Sequence, residues 1–296
     1  MKLLLTGASG QLGHYLLQEL RGSAIEFCAW SRNREDEVFD KSLTPVDLAT
    51  DPSVVEAAYH RASPDVILHA AAVTTTAAAY KHPERTHRIN THATKQLLEL
   101  ASTNNARFVF VSTDLVFDGQ KGEYHEQDTP APLSIYGKTK FAAEQVVAQY
   151  PHHLIARLSL LYGPALNGRP AFFDQQLRAM SGQGSCSLFT DEWRTPLSYA
   201  TAAQGLLGLA NSPHTGTVHL GGPERMNRYD MGMRIAHAVG ANTNHLVATL
   251  QADLEFPEPR PHDVSLDSSR WRSLCPHSPW PTLESAVSQF LQQSNQ

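Results

Sequence analysis

The chain is poor in cysteine and has no long apolar run. Its 296 residues include three cysteines, Cys28, Cys186 and Cys275, which are widely spaced and form no Cys-x-x-Cys pair. This usage is typical of a reducing compartment without disulfides or a zinc site, so we expect a cytoplasmic protein that binds no metal. No apolar stretch approaches the roughly 20 residues that cross a membrane, and the apolar segment at residues 2–5 is too short for a signal peptide.

An excess of positive charge is also missing. Lys and Arg total 24 against 29 Asp and Glu, which gives a formal net charge of −5. Because no basic cluster occurs, nucleic acid is excluded as a main partner. A hydrophobic content of 41% is typical of a globular protein with a buried core. The sequence leaves open whether the chain forms a homodimer.

The N-terminus carries an apolar run, a glycine-rich turn and a helical pattern in direct succession. Glycines at this place allow a tight turn and bring a pyrophosphate close to backbone N–H groups at a helix N-terminus. The spacing differs from the common G-x-G-x-x-G, and a turn that binds no ligand is the alternative interpretation. The residues for which we predict cofactor contacts are Gly7, Ser9, Gly10, Gln11, Leu12 and Gly13.

A second apolar run, at residues 25–30, ends at Ser31 and Arg32. In a βαβ unit an acidic residue here binds the 2′-hydroxyl of NAD, whereas an Arg accommodates the 2′-phosphate of NADP. No Asp or Glu ends this strand, so Ser31 and Arg32 favour NADP(H), with NAD as the alternative. A solvated charged loop is the other interpretation, since residues 35–37 are acidic.

Two further segments fit the same nucleotide site. Asp47 and Leu48 follow a short apolar stretch, and we expect them to lie beside the adenine of the cofactor. Residues 64–72 read as a strand that leads into Ala70, Ala71 and Ala72. Such small side chains let a cofactor lie close to the backbone, although tight packing alone would also explain them.

Tyr136 and Lys140 are four residues apart and therefore share one face of a helix. Because a nearby cation favours the phenolate, we expect Lys140 to lower the pKa of Tyr136 and to let it exchange protons with a reacting group. Thr113 follows the apolar run 108–111, so its hydroxyl is expected at a strand's carboxyl end, where ligands bind in open α/β sheets. An exposed Tyr and a solvated Lys would be the alternative.

Strand patterns alternate with helical patterns through about residue 160, which predicts a parallel sheet with helices on both faces. We predict an α/β fold, with a Rossmann-type doubly wound parallel sheet at residues 1–162. Residues 163–296 are expected to form a smaller C-terminal substrate-binding lobe, with segments that return to the main domain. The predicted helices are 11–20, 52–62, 83–104, 136–149, 172–181, 198–210 and 229–239.

Two arginines in loop-like segments of the C-terminal half, Arg194 and Arg260, are candidate ligands of a diphosphate. A guanidinium fork suits the geometry of phosphate oxygens. Ordinary surface arginines are the competing interpretation.

Together these segments resemble the extended short-chain dehydrogenase/reductase family, and within it the dTDP-4-dehydrorhamnose reductases and their sugar-nucleotide relatives. The resemblance covers nearly the whole chain. It rests on residues 6–13, 47–48, 69–73, 90, 111–119, 130–134, 136–140 and 260–267.

The resemblance implies NADPH-dependent reduction of a nucleotide-activated 4-keto-6-deoxy sugar. Thr113, Tyr136 and Lys140 would form the catalytic trio, with Tyr136 as the proton donor and Lys140 also holding the nicotinamide ribose. Tyr136 and Lys140 would thus contact the cofactor as well, while Thr113 and Asp114 would contact the sugar. Asn90 would be a helix residue that supports this region.

The chain departs from the reductases at several positions that shape sugar recognition. Residues 76–81 replace an acidic stretch, Leu160 stands where an aromatic residue is usual, and Arg194 is more typical of epimerases and dehydratases. One alternative is therefore a nucleotide-sugar epimerase or dehydratase that retains NAD, although the Asp-Glu pair of a dehydratase is missing after Thr113. The other alternative is a non-catalytic NADP-binding regulatory subunit that resembles that of methionine adenosyltransferase.

Overall fold

Strands and helices alternate along most of the chain. A computed structural model describes residues 1–32 and 37–294, so residues 33–36 of the charged loop lie outside the described part. The strands are β1 (Lys2–Thr6), β2 (Glu26–Ser31), β3 (Glu37–Val38), β4 (Lys41–Ser42), β5 (Thr44–Pro45), β6 (Val66–His69), β7 (Arg107–Thr113), β8 (His153–Leu158), β9 (Leu161–Tyr162), β10 (Cys186–Phe189), β11 (Trp193–Arg194), β12 (Leu197–Ser198), β13 (Gly216–Leu220), β14 (Met226–Asn227) and β15 (Leu246–Thr249).

The α-helices are α1 (Gln11–Arg21), α2 (Pro52–Ala62), α3 (Thr76–Lys81), α4 (Pro83–His87), α5 (Ala93–Thr103), α6 (Ile135–Val147), α7 (Phe172–Met180), α8 (Tyr199–Ala210), α9 (Arg228–Ala238), α10 (Ser269–Leu274) and α11 (Leu283–Ser294). A π-helical turn, Arg88–His92, joins α4 to α5. Within the described ranges, no helix has both the length and the apolar character that crossing a bilayer requires.

A seven-stranded parallel sheet forms the centre of the fold, with the strand order β13-β8-β7-β6-β1-β2-β5. The chain runs outward from β1 to β2 and β5, and then returns to β6 on the other side of β1. The order of the strands therefore reverses beside β1, and ligands of doubly wound sheets bind at such a switch point. The predicted α/β fold with a Rossmann-type doubly wound parallel sheet is confirmed.

Apolar runs form the central strands because both faces of the sheet are covered. Leu3 and Leu5 of β1 pack into one core, together with Leu16 of α1. Leu4 points to the opposite face and packs into a second core, which includes Leu97 of α5. Side chains of successive strand residues alternate between faces, so a continuous apolar run serves both cores.

The C-terminal half contributes to the main sheet and also forms a core of its own. Strand β13 pairs in parallel with β8, with Val218 opposite Ala156. A third core joins Phe173 of α7, Ile235 of α9 and Phe290 of α11. We propose on this basis that residues 163–296 form a smaller lobe, with β13 and the neighbouring helix α8 belonging to the main domain.

Candidate active site

A cleft of about 1380 Å³ lies at the carboxyl ends of the parallel strands. Its walls come from the ends of β1, β2, β6 and β7, from the start of α6, and from residues 256–261 of the C-terminal lobe. The sequence-predicted site residues all line this cleft. They are Gly7, Ser9, Gly10, Gln11, Leu12, Gly13, Ser31, Arg32, Asp47, Leu48, Ala70, Ala71, Ala72, Thr113, Asp114, Tyr136, Lys140, Arg194 and Arg260.

The glycines of the first turn differ in what the fold requires of them. Gly7 has φ +75°, and a Cβ atom there would lie 2.7 Å from the Ala71 nitrogen. A Cβ atom at Gly13 would lie 2.3 Å from the Gly7 oxygen, whereas one at Gly10 would meet that oxygen at 3.2 Å. The fold therefore needs glycine at positions 7 and 13, while position 10 borders the cleft with more space.

The start of α1 fits an anionic group. Gly10 is the N-cap residue of this helix and has no side chain that could accept a hydrogen bond from its first turn. Backbone N–H groups at such a helix start carry partial positive charge and lack acceptors within the helix. The turn from Gly7 to Gly13 thus meets the requirements of a pyrophosphate site.

The end of β2 carries a hydroxyl and a guanidinium group. Ser31 is buried, and its backbone oxygen accepts a hydrogen bond of 2.7 Å from Val46 N. Arg32 is exposed at the rim of the cleft. On the adjacent wall, Asp47 accepts a hydrogen bond of 2.9 Å from Ala49 N. This pairing of Ser31 with Arg32 fits a 2′-phosphate better than a 2′-hydroxyl.

Asn90 ties the loop after β6 to helix α6. Its Oδ1 atom accepts a hydrogen bond of 2.8 Å from Val73 N, and its Nδ2 atom donates to Thr139 Oγ1 at 3.1 Å. Asn90 lies in the π-helical turn, and such turns are frequent at functional sites. The amide thereby fixes the position of Ala72 and its neighbours relative to Tyr136.

Thr113, Tyr136 and Lys140 meet at the base of the cleft, and all three side chains are buried. The hydroxyl of Ser134 caps α6 by accepting a hydrogen bond of 3.1 Å from Gly137 N. Gly137 allows α6 to approach the end of β7, since a Cβ atom there would lie 2.2 Å from Leu115 O. The alternative of an exposed Tyr and a solvated Lys is excluded.

The expectation that Lys140 lowers the pKa of Tyr136 is wrong. Burial raises the pKa of Tyr136 well above its ordinary value, and a hydrogen bond between Tyr136 and Thr113 opposes the rise only in part. Lys140 instead directs its ammonium group at Val111 O, 2.6 Å away. Burial lowers the pKa of Lys140 to about 7, with Glu144 acting in the opposite direction. Desolvation therefore outweighs the charge that the sequence places on the same helix face.

The hydroxyl of Thr113 is engaged by the neighbouring carboxylate. Thr113 Oγ1 donates a hydrogen bond of 3.0 Å to Asp114 Oδ1, and Ser159 Oγ donates to Asp114 Oδ2 at 3.4 Å. The Nε atom of Arg194 lies 3.5 Å from the same Oδ2 atom. Burial raises the pKa of Asp114, while the positive charge of Arg194 opposes this shift.

Three arginines of the C-terminal lobe converge on one buried carboxylate, that of Glu192. Arg260 Nε donates to Glu192 Oε1 at 2.7 Å, Arg228 Nε lies 3.4 Å from Oε2, and Arg194 Nη2 lies 4.0 Å from Oε2. Arg194 is 5% exposed, which excludes its interpretation as an ordinary surface residue. Glu192 and Arg228 could not be predicted from the sequence, because no spacing rule connects them with Arg194 and Arg260.

The fold and this site define a Rossmann-type protein of the extended short-chain dehydrogenase/reductase class. The diagnostic features are the glycine turn at the switch point and the Thr113, Tyr136 and Lys140 side chains in the same cleft. The prediction that the chain belongs to this class of NAD(P)-dependent enzymes is confirmed by the comparisons with known proteins that follow.

The chain belongs to the family described as the RmlD substrate binding domain, whose sequence profile matches residues 1–296. It is 32% identical to the probable low-salt glycan biosynthesis reductase Agl14 of Haloferax volcanii, over 91% of this chain and 90% of the relative. It is 27% identical to the dTDP-4-dehydrorhamnose reductase of Mycobacterium tuberculosis, over 91% and 86% of the two chains. It is also 28% identical to methionine adenosyltransferase 2 subunit beta of Bos taurus, over 92% and 82%.

A solved structure shares the whole fold. The crystal structure of a dTDP-4-dehydrorhamnose reductase from Clostridium acetobutylicum superposes with a TM-score of 0.86 and covers 100% of both chains at 24% identity. At this level of identity the likeness establishes the fold alone.

Proposed function

We propose that this protein reduces the keto group of a nucleotide-activated 4-keto-6-deoxy sugar with NADPH, in the manner of a dTDP-4-dehydrorhamnose reductase. The observation that carries the proposal is the burial of Thr113, Tyr136 and Lys140 in one cleft that also contains the glycine turn. We place the reaction in the cytoplasm, because the three cysteines are unpaired.

Each part of NADPH has a matching group of residues on one side of the cleft. The N-terminus of α1 would bind the pyrophosphate of NADPH, and Ser31 and Arg32 would bind its 2′-phosphate. Asp47 and Leu48 would lie beside the adenine, and Ala70 to Ala72 would let the cofactor approach the backbone. When bound, NADPH supplies the hydride, and the residues of the chain position it.

Tyr136 would donate the proton to the keto oxygen of the sugar. Its phenol is protonated at neutral pH, as a proton donor must be, and the high pKa that burial gives it makes it a weaker acid than an ordinary tyrosine. Thr113 would donate to the same oxygen by turning toward it the proton that Asp114 accepts in this structure, and a donor at this position stabilises a developing alkoxide. Lys140 would hold the nicotinamide ribose. Arg194 and Arg260 would hold the diphosphate, because one guanidinium group can donate two parallel hydrogen bonds to phosphate oxygens.

A regulatory subunit is the second candidate function. The observation that favours it is the sequence identity of 26% to 28% with beta subunits of methionine adenosyltransferase 2, a range that includes the 27% identity with the mycobacterial reductase. The buried trio supports catalysis instead, since a purely binding role does not need a tyrosine and a lysine at the base of the cleft. The epimerase or dehydratase alternative has weaker support, since Leu115 follows Asp114 where a dehydratase needs a second carboxylate.

A panel of nucleotide sugars tests the proposal. Each sugar is mixed with the protein and NADPH, and the loss of nicotinamide absorbance is followed. Stoichiometric oxidation of NADPH with one 4-keto-6-deoxy sugar is the expected result. Conversion of a sugar with no net change of absorbance, together with NAD that stays bound through gel filtration, would assign the protein to the epimerases. Binding of NADPH without turnover of any sugar would favour the regulatory subunit.

A further inference from the structure

The three arginines that surround Glu192 differ in how many of their N–H donors form hydrogen bonds within the protein. Arg260 donates to Glu192 at 2.7 Å, and its guanidinium also stacks 4.7 Å from the centre of the Phe256 ring. Arg194 donates from Nη1 to Trp193 O at 2.8 Å and lies beside Asp114. Each of these two guanidiniums therefore has at least one short hydrogen bond within the protein.

Arg228 is held much more weakly. Among the described residues, its guanidinium makes one polar contact, the 3.4 Å approach of Nε to Glu192 Oε2. Its Nη1 atom is buried and has no hydrogen-bond partner among the residues that the structure describes. The guanidinium stacks 4.7 Å from the Phe172 ring centre, which fixes its plane without using its donors. A guanidinium has five N–H donors, and a buried donor without an acceptor costs free energy.

Arg228 shares its carboxylate with the two other arginines. The guanidinium groups of Arg194, Arg228 and Arg260 all lie beside Glu192, and Arg194 also lies 3.5 Å from Asp114. Glu192 has no exposed surface and lies behind the arginines, whereas all three arginines line the cleft. Arg228 therefore borders the cleft with a buried donor that the shared carboxylate of Glu192 does not engage, and such a donor costs free energy unless it is paired.

From this geometry we infer that Arg228 is a third diphosphate-binding residue, which Glu192 positions together with Arg194 and Arg260. The inference rests on the proposed function and extends it to the part of the substrate next to the sugar. Contacts link Thr113 through Asp114, Arg194 and Glu192 to Arg228. In a 4-keto sugar the phosphate-bearing carbon lies across the ring from the reacting carbon, so the diphosphate begins one sugar ring away from Thr113.

Titration calorimetry of the full chain tests the role of Arg228. Uridine diphosphate, thymidine diphosphate and the corresponding monophosphates are titrated into the NADPH-loaded parent and into Arg228→Met. We expect the variant to lose about tenfold or more in affinity for the diphosphates, since a hydrogen bond to a charged group is worth that much, and to lose less for the monophosphates. NADPH affinity is expected to stay at the parent's level.

Arg234→Met is the matched control. Arg234 lies on the same helix, but it pairs with Glu224 and Glu284 away from the cleft. The control is expected to bind both diphosphates as the parent does. Equal loss in both variants would assign the effect to helix α9 and overturn the inference.

Arg228→Lys is a second test variant, which is used if Arg228→Met does not fold. Binding of NADPH serves as the criterion for a folded variant. Lys keeps the charge and loses the planar fork, so intermediate diphosphate affinity is expected. Parent-like diphosphate affinity in the variants that bind NADPH would overturn the role of Arg228, as would a parent that binds neither diphosphate. Turnover of a nucleotide sugar is measured separately, so the reductase proposal can survive the loss of this inference.

Discussion

The ammonium group of Lys140 donates its hydrogen bond to the carbonyl oxygen of Val111, at 2.6 Å, and not to a carboxylate. Its Nζ atom also lies 3.9 Å from the centre of the Phe110 ring. Both partners belong to β7, the strand that ends at Thr113. The helix that carries Tyr136 is thus joined to the strand that carries Thr113 through the third member of the trio.

This contact predicts how stability depends on pH. Burial lowers the pKa of Lys140 from its ordinary value of 10.5 to about 7, so between these two pH values the unfolded chain binds more protons than the folded one. The free energy of unfolding attributable to Lys140 is therefore lowest below pH 7 and rises with pH, by up to about 1.4 kcal/mol per pH unit. The free energy of unfolding is measured in urea for the parent and for Lys140→Met from pH 6 to pH 9. We expect the value for the parent to rise relative to that of the variant as the pH increases.

Lys138→Met is the control for that measurement, because Lys138 is exposed on the same helix. The difference in free energy of unfolding between Lys138→Met and the parent is expected to stay constant from pH 6 to pH 9. A pH-independent difference for Lys140→Met would show that Lys140 keeps its ordinary pKa in the folded protein.

Tyr136→Phe is expected to abolish turnover and to preserve NADPH binding. Phenylalanine keeps the ring and loses only the hydroxyl that would donate the proton. General acid catalysis contributes roughly 10² to 10⁴ in rate, so the loss should reach at least about a hundredfold. Steady-state rates are compared with those of Tyr80→Phe, whose ring is 48% exposed. Activity of Tyr136→Phe within a few-fold of this control would remove Tyr136 from the mechanism.

Arg32→Ala is expected to reduce the preference for NADPH over NADH. If Arg32 binds the 2′-phosphate, its loss removes a charge-assisted contact worth roughly 1.5–3 kcal/mol, which is about tenfold or more in affinity. Fluorescence titration of both coenzymes measures the preference directly. Arg21→Ala serves as the control, since Arg21 is exposed at the end of α1 and pairs with Asp40. Equal affinity of the parent for both coenzymes would contradict the assignment.

Gly10→Ala and Gly13→Ala are expected to act on different properties. A Cβ atom at position 13 would overlap the Gly7 oxygen, so this variant should lose stability on the order of 1–3 kcal/mol or fail to fold. A Cβ atom at position 10 finds more space and should leave thermal unfolding close to the parent's while weakening NADPH binding. Thermal denaturation and NADPH titration are run on both. Unchanged NADPH affinity in Gly10→Ala would place the pyrophosphate away from this turn.

Sequence reasoning located the parts of the site that depend on local pattern. The glycine turn, the strand end at Thr113 and the four-residue spacing of Tyr136 and Lys140 are each contained in one short segment, and all of them line the cleft. The helix predicted at 52–62 has the observed bounds of α2, since Asp51 caps it and Pro52 occupies its first turn. Each of these features depends on residues within one short segment, so it can be predicted without knowledge of the tertiary contacts.

Other features depend on contacts that no local pattern encodes. Glu192 meets Arg228 and Arg260 across 36 and 68 residues of chain, and the helical spacing could not reveal that Lys140 turns toward Val111. Helices α10 and α11 and the strand pair β10–β15 were also missed. That pair joins four-residue strands from distant segments, so its formation reflects the tertiary fold more than strand propensity.

The edge position of β13 has a consequence for biosynthesis. This strand pairs with β8 and is the last strand of the seven-stranded sheet to be synthesised, so that sheet stays incomplete until residue 220 has been added. Before that point β8 presents a row of unpaired N–H and C=O groups, to which any extended polypeptide can attach. Nascent chains that stall after β8 but before β13 are therefore expected to aggregate, although they already contain Thr113, Tyr136 and Lys140.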